Sequence, residues 1–224
     1  MVQRWQGALW LARDYCLFAG LSGHTGVHAH YAHQAMLGRD GPLRVALTDQ
    51  RLSAPFVLIE SLQPHAFAEA NQPLVAVYAE PLAFDVPPLR AALAQAPAEL
   101  EVLAARMAQV ERKVLDPRVE QALHALDRRL QGKVEAAGLA REVSLSLSQL
   151  QRLFGAQVGL SVRRLVLWRR LRLALRLALD GAPLTAAAHG AGFADSAHLS
   201  RTVRAMFGIR ADHSLRHLQL RLLE

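Results

Sequence analysis

The spacing of apolar residues changes character once along the chain, after Pro87-Pro88. Over residues 8–80 the apolar positions form short runs, ALWLARDYCLF, GVHAHYAHQAMLG, LRVALTD, APFVLIES and PLVAVYAE, separated by Gly, Pro and Asp/Asn clusters. Short runs at this spacing predict the strands of a small β sandwich or barrel. Beyond the proline pair, Leu100, Leu103, Met107, Val110 and Val114 stand three and four residues apart, a heptad-like seam of about two heptads. Two readings fit it: a helix packed on its own β domain, or a homodimer contact through residues 97–115.

Asp116-Pro117 predicts a boundary, because a residue before proline avoids the helical region and proline suits the first turn of the next helix. The linker falls near residues 112–118. Everything after it reads as helix. In SVRRLVLWRRLRLALRLALDG, Ser161 suits the start and Gly181 the end. Leu167, Leu171, Ala174 and Ala178 form an apolar stripe, and Arg169, Arg172 and Arg176 share another face.

The basic half contains a repeat. When LAREVSLSLSQLQRLFGAQVG is laid on AAHGAGFADSAHLSRTVRAMFG with Arg152 on Arg201, Ser146 and Asp195 both fall six residues before the arginine. Leu150 and Leu199 fall two before it, and Gly159 and Gly208 seven after. Each copy predicts a short helix with a small residue (Ala140, Ala188), a turn, and a second helix begun by a capping side chain, the helix-turn-helix pattern. Phe193 can fill the space beneath the second turn. Leu147, Leu150 and Phe154, and in the other copy Leu199, Met206 and Phe207, are expected to face the core. Ser148, Gln149 and Arg152, with Ala197, His198 and Arg201, are then exposed. Short polar side chains beside an arginine suit the major groove, where Arg reads guanine and Gln can read adenine. The alternative, arginines paired with acids of their own bundle, is disfavoured by the duplicate spacing, the caps and the charge.

That charge is unevenly placed. Residues 1–116 hold nine Lys/Arg and eleven Asp/Glu, whereas residues 117–224 hold seventeen and eight, within a net charge of +7. A half this basic is drawn to a polyanion, because its cations displace condensed counterions from nucleic acid. With 224 residues, 52% of them hydrophobic, the chain can bury a core. The N-terminus MVQRWQGALWLARDYCLFAG lacks the pattern of a signal peptide, and the arginines of LVLWRRLRLALRLAL exclude a lipid-exposed span. A soluble, cytoplasmic protein with no membrane partner is expected. The lone cysteine, Cys16, has no intrachain partner and reads as a core residue.

Residues 134–216 resemble the DNA-binding domain of the AraC/XylS family of bacterial transcription regulators. The resemblance rests on LA, the serine and LQRLF of the first unit, on Gly159-Leu160-Ser161, on the linker helix with Arg170 and Ala174, and on AAHGAGFADSAHLSR with FG in the second unit. It implies recognition helices at about 146–157 and 195–206 that enter successive major-groove segments, with Ser148, Gln149, Gln151, Arg152, Ser196, His198, Ser200 and Arg201 at recognition positions. The chain departs from the family at Val203, usually phenylalanine, at Ala211, usually proline, and at Leu215, often aromatic. These departures bear on the packing after the second recognition helix.

The N-terminal half offers a second candidate chemistry. HTGVHAHYAHQAMLGRDG holds His24, His28, His30 and His33, and His65 follows in LQPHAF. On a strand, His28 and His30 point the same way. HAHYAHQ followed by Gly41 resembles the first cupin motif with Gln34 in place of its glutamate, and Pro64-His65 loosely resembles the second. Three imidazoles can hold Zn, Fe or Ni as divalent ions. The same residues could instead line an organic-effector pocket, or form a structural or proton-sensing cluster. His24 and His33 are less well placed.

The expected fold is α+β: a small cupin-like β barrel or sandwich over 1–87, a helical connector at 88–116 that is a candidate dimerisation helix, and an all-α AraC-type DNA-binding domain over 117–224 with two helix-turn-helix units joined by a linker helix. The expected function is sequence-specific transcription regulation, not enzymatic catalysis. Promoter DNA and a small-molecule or metal effector, bound by His28, His30, Gln34 and His65, are its partners. The family resemblance adds RNA polymerase as a partner and activation as the sign of control. The rivals are a cupin metalloenzyme fused to a DNA-binding module, against which Gln34 argues, and a nonspecific nucleoid-type binder.

Overall fold

A computed structural model describes residues 6–209 and 218–223. The chain forms two compact units, one comprising Met1–Arg112 with Val203–Glu224 and the other Lys113–Thr202.

The first unit is built on two open β-sheets. Strands β1 (Gln6–Leu11), β2 (Tyr15–Leu21), β3 (His33–Gly38), β6 (Phe56–Ile59), β8 (Pro73–Ala79) and β9 (Leu218–Leu222) form one sheet in the order β6-β3-β8-β2-β1-β9. Strands β4 (Leu43–Leu47), β5 (Arg51–Ala54) and β7 (His65–Phe67) form the other, in the order β5-β4-β7. Phe18, Met36, Val57, Ile59, Leu74 and Ala76 of the first sheet pack with Leu43, Val45 and Phe67 of the second in one buried cluster. Of the barrel and sandwich alternatives, the described residues make the sandwich.

The apolar run ALWLARDYCLF is two strands of an antiparallel hairpin rather than one. Its polar break explains why: Ala12 N–H donates to the Tyr15 carbonyl across the turn, and Asp14 accepts from Arg112 at 3.2 Å. The short strand β5 was not visible among the apolar runs, since its sequence RLSA offers little hydrophobic signal.

Helices α1 (Val86–Leu93) and α2 (Leu100–Gln109) follow β8. Helix α2 uses the central residues of the heptad-like seam inside its own unit, with Leu103 and Met107 fully buried. The seam does not continue. The backbone turns extended at Val110, and Val114 stands 94% exposed outside any helix.

One boundary differs from the sequence reading, which gave all of residues 117–224 to the DNA-binding domain. The described residues among 203–224, namely 203–209 and 218–223, belong to the first unit. The reason is the open edge of β1, which β9 joins in parallel from Gly7↔Leu218 to Leu11↔Leu222, while Ile209 and Leu218 pack on the sandwich core. Ala211 and Leu215 lie outside the described residues.

The second unit is helical: α3 (Pro117–Arg128), α4 (Ala136–Glu142), α5 (Leu147–Leu153), α6 (Val162–Leu179), α7 (Leu184–Gly190) and the start of α8 (Ser196–Phe207). Asp116 caps α3 by accepting from Arg118 N–H at 2.9 Å, and Pro117 opens the helix. Ser161 caps α6, and Gly181 follows its end at φ +98°. The buried side of α6 runs through Leu165, Trp168, Leu171 and Ala174, so Leu167 of the expected stripe sits at its margin.

Candidate functional site

The two repeat copies fold alike. In each, a fully buried alanine, Ala140 or Ala188, lets the helices approach, and its carbonyl accepts from the amide of the residue that plugs the turn, Leu145 at 2.8 Å or Phe193 at 2.9 Å. The preceding residue is left-handed in both, Ser144 at φ +54° and Gly192 at φ +82°. Only glycine fits the second position. A Cβ there would stand 2.7 Å from the Leu130 carbonyl oxygen and 2.9 Å from Arg170 Nε. Arg170 is itself fixed, donating to the carbonyls of Leu130 at 2.8 Å and Gly132 at 2.6 Å.

Helix α5 starts with a reciprocal cap: Gln149 N–H donates to Ser146 Oγ at 3.2 Å, and Ser146 N–H donates to Gln149 Oε1 at 2.9 Å. The helix continues as a π-turn over Phe154–Val158 and stops at Gly159, φ +75°. Ser148, Gln149, Gln151 and Arg152 are all exposed, with the Gln149 carbonyl oxygen engaged in the cap and Ser148 Oγ 3.1 Å from Ser146 Oγ. Leu150 and Phe154 are buried as expected. Leu147 is not: in the first turn it points outward, 41% exposed.

Helix α8 is capped by Asp195, which accepts from His198 N–H at 2.6 Å. Arg201 is exposed, and Ser196, His198 and Ser200 are half-buried. The His198 ring meets Phe193 edge-on at 5.1 Å, and its carbonyl accepts from the Thr202 hydroxyl at 2.9 Å. Leu199 and Val203 fill the core side, so valine serves where the family usually has phenylalanine. Arg204, exposed one turn beyond Arg201, was missed in the sequence reading although its i+3 spacing signals the same face.

The second constellation lies in the first unit. His28, His30 and His65 are all buried, and each brings a ring nitrogen within 4.8 Å of the others. Neither His28 nor His30 is on a continuous strand. A lone antiparallel bridge holds His28 against His65, with amide-to-carbonyl bonds of 3.0 and 2.9 Å, and ring centroids lie 4.2 Å (His28–His65), 5.1 Å (His30–His65) and 5.8 Å (His28–His30) apart.

The three rings are oriented in one way. Each Nδ1 lies against a backbone carbonyl two residues away: His28 to Gly26 at 2.9 Å, His30 to Ala32 at 3.0 Å and His65 to Gln63 at 2.9 Å. A carbonyl oxygen only accepts, so Nδ1 carries the proton in His28 and His65 and their Nε2 keeps its lone pair, whereas His30 stands between two acceptors, the Ala32 carbonyl at Nδ1 and Gln34 Oε1 at Nε2, and its neutral ring donates to one of them. The buried Nε2 of His65 has no hydrogen-bond partner. Gln34 Oε1 stands 3.2 Å from His30 Nε2, and its amide nitrogen donates to the Tyr78 hydroxyl at 2.9 Å.

Burial, followed by the neighbouring imidazoles His65 and His28, pushes the His30 pKa down to about 3. Burial and then His28 push that of His65 down to about 4, and burial lowers that of His28. The cluster is therefore neutral at physiological pH and offers no cationic imidazole to an anion. His24 is exposed, and His33, although buried, accepts from Ser61 N–H at 3.1 Å. Two neighbours were not visible in the sequence: Tyr78, whose ring centroid is 5.4 Å from that of His30, and Phe207, also at 5.4 Å. Register explains Tyr78, which pairs with Gln34 across β3 and β8.

A β-sandwich carrying a buried polar cluster precedes two successive helix-turn-helix units, the arrangement of a DNA-binding domain. Residues 139–217 match the family model of a helix-turn-helix domain. That domain is of AraC type. A search of characterised protein sequences gives no match. Among solved structures, apo ToxT from Vibrio cholerae, in a variant form, aligns at TM-score 0.62 and 10% identity over 92% of this chain and 98% of that one. ToxT from the same organism with an unsaturated fatty acid bound aligns at TM-score 0.53 and 10% identity, over 88% of this chain and 91% of that one. The likeness is one of fold, and it spans both halves. No helix among the described residues is long and apolar enough to cross a membrane.

Proposed function

We propose that this protein regulates transcription by reading promoter DNA through α5 and α8 in response to a divalent transition metal bound by His28, His30 and His65. The observation that carries the metal is the convergence of three buried imidazoles whose ring nitrogens lie within 4.8 Å of one another, with the Nδ1 of His28 and His65 held by backbone carbonyls and the buried Nε2 of His65 unpartnered. Backbone carbonyls behind ligating imidazoles are the outer-shell arrangement that orients a metal-binding histidine. Gln34 Oε1, beside His30 Nε2, supplies a neutral oxygen to the same site.

A second reading takes its support from the ToxT structure with a fatty acid bound, which shares this fold. A carboxylate ligand, however, seeks cations or N–H donors, and these rings are neutral, with lone pairs at the Nε2 of His28 and His65. Metal fits the donor set better. Zn²⁺, Fe²⁺ and Ni²⁺ all accept imidazole, and the amide oxygen in place of a carboxylate leaves the site less suited to hard ions.

On DNA, Ser148, Gln149, Gln151 and Arg152 with Ser196, His198, Ser200 and Arg201 form the reading surface, in which the Gln149 carbonyl oxygen also holds the cap. Activation, and with it RNA polymerase as a partner, follows the family resemblance. The test joins metal analysis of purified protein to selection of bound sequences from random DNA, for wild type and a His28→Ala/His30→Ala variant. Stoichiometric metal lost in the variant together with changed operator affinity is the expected result. A metal-free wild type selecting the same sequences as the variant would return the search to organic effectors.

A further inference from the structure

The histidine cluster has a wall contributed from far along the chain. Phe207, the last residue of α8, lies over His30 with ring centroids 5.4 Å apart and planes tilted by 33°, and it meets Tyr78 edge-on at 6.3 Å. Gly208 follows at φ +64°, and its carbonyl accepts from Gly26 N–H at 3.2 Å. The fit is close: a Cβ on Gly208 would stand 2.6 Å from the Gly26 oxygen and 3.0 Å from His28 Nδ1. The Gly26 oxygen is the acceptor that sets the His28 tautomer. The Phe207–Gly208 step therefore touches two of the three histidines, one through its ring and the other through the backbone that orients it. All these residues belong to the first unit.

We propose that the Phe207–Gly208 step is a latch on the histidine site, so that metal binding and the seating of the C-terminal end of the second recognition helix stabilise one another. The inference rests on the metal reading of the site. Its physical basis is the change of shape that a metal requires. Nitrogens bound at about 2.1 Å in a tetrahedral set stand about 3.4 Å apart, whereas here they spread to as much as 4.8 Å. Loading draws the rings together and fixes them, and the surfaces under Phe207 and Gly208 are those rings and the loop behind them. Without metal, the rings lack that tie and the seat is less firmly held.

The position of the latch gives it a route to DNA. Arg201, exposed on α8, precedes Phe207 by six residues, about 9 Å along the helix axis. By thermodynamic reciprocity, a metal that steadies this end of α8 binds more tightly when that end is seated, and couplings of this kind are typically about 5–150-fold.

The test is a visible-absorption titration of metal-stripped, full-length protein with Co²⁺, comparing wild type, Phe207→Ala, Phe207→Leu and His28→Ala/His30→Ala. It is paired with amide hydrogen exchange at residues 204–209 of the wild type with and without Co²⁺, which needs no latch variant to fold. Expected are Co²⁺ binding that requires the histidines, affinity at least about fivefold weaker in Phe207→Ala and partly restored in Phe207→Leu, and slower exchange on loading. Co²⁺ affinity within twofold of wild type in Phe207→Ala, with exchange unchanged, overturns the latch and leaves the metal site standing. No Co²⁺ binding in the wild type overturns the metal site, and the latch falls with it.

Discussion

Gly192→Ala probes the geometry that presents the second recognition helix. Gly192 sits at φ +82°, where an alanine carries about 1–2 kcal/mol of backbone strain. The new methyl would also press on the Leu130 oxygen at 2.7 Å and Arg170 Nε at 2.9 Å. Those two atoms are already bonded to one another at 2.8 Å, so the methyl must part them or push the turn outward. Hydrogen bonds to charged groups contribute about 1.5–3 kcal/mol each. Partial loss of one, added to the strain, puts the destabilisation at about 3 kcal/mol, a large share of the 5–15 kcal/mol typical of folded domains. Chemical denaturation followed by circular dichroism measures it, and Arg170→Met with the double variant closes a cycle. Because the methyl and the guanidinium compete for one space, the double variant should lose less than the two single changes together, by about 1 kcal/mol. A Gly192→Ala loss within about 0.5 kcal/mol of zero, the range of an ordinary surface change, would refute the steric account. So would full additivity.

Other predictions follow from the same structure. Arg201→Ala should weaken specific operator binding by about 1–3 kcal/mol at fixed salt while barely changing nonspecific affinity; equal losses on both would place Arg201 on phosphate. Ser146→Ala removes one half of a reciprocal cap and should lower stability by about 1 kcal/mol in denaturant titration, with no loss if the cap is absent in solution. In metal-free buffer, the folded-state pKa values of about 3 for His30 and about 4 for His65 lie below the unfolded value near 6.5, so the unfolded chain takes up protons first as pH falls. Stability should be fully present above pH 6.5 and decline below it, by up to about 1.4 kcal/mol per pH unit for each histidine, until about pH 4 for His65 and about pH 3 for His30. Denaturation midpoints at pH 7 and 5 should converge for His30→Leu/His65→Leu, and an acid sensitivity equal to wild type would remove the cluster as its cause.

The helix-turn-helix half was legible because its rules are local. Ser146, Ser161 and Asp195 cap helices within three residues of themselves, Gly159 and Gly181 end them, and Ala140 and Ala188 are small where two helices cross. Periodicity misled only where a helix was about to stop or start. Val114 continued a seam that the backbone had left at Val110, and Leu147 at a first turn had no core beneath it. The sandwich was legible as a class and poorly as a register. The pairing of β1 with β9 joins residues near opposite ends of the chain, and no local pattern in LQLRL announces it.

The histidines show the same division. Their number and the likeness to a metal-binding motif were visible in the sequence, yet the reason offered there, alternation along a strand, is not the one that operates. His28 and His30 converge because the chain between β2 and β3 folds back on itself and bridges to His65, with each ring tied to a carbonyl two residues off. The fold does not need them for its hydrophobic core, which is carried by Phe18, Met36, Leu43 and their neighbours. Burying three imidazoles with one Nε2 unsatisfied opposes folding, since a buried polar atom without a partner costs about 1–3 kcal/mol. An arrangement that local propensity does not explain and that works against stability is what a ligand site would show, and it supports the metal proposed there.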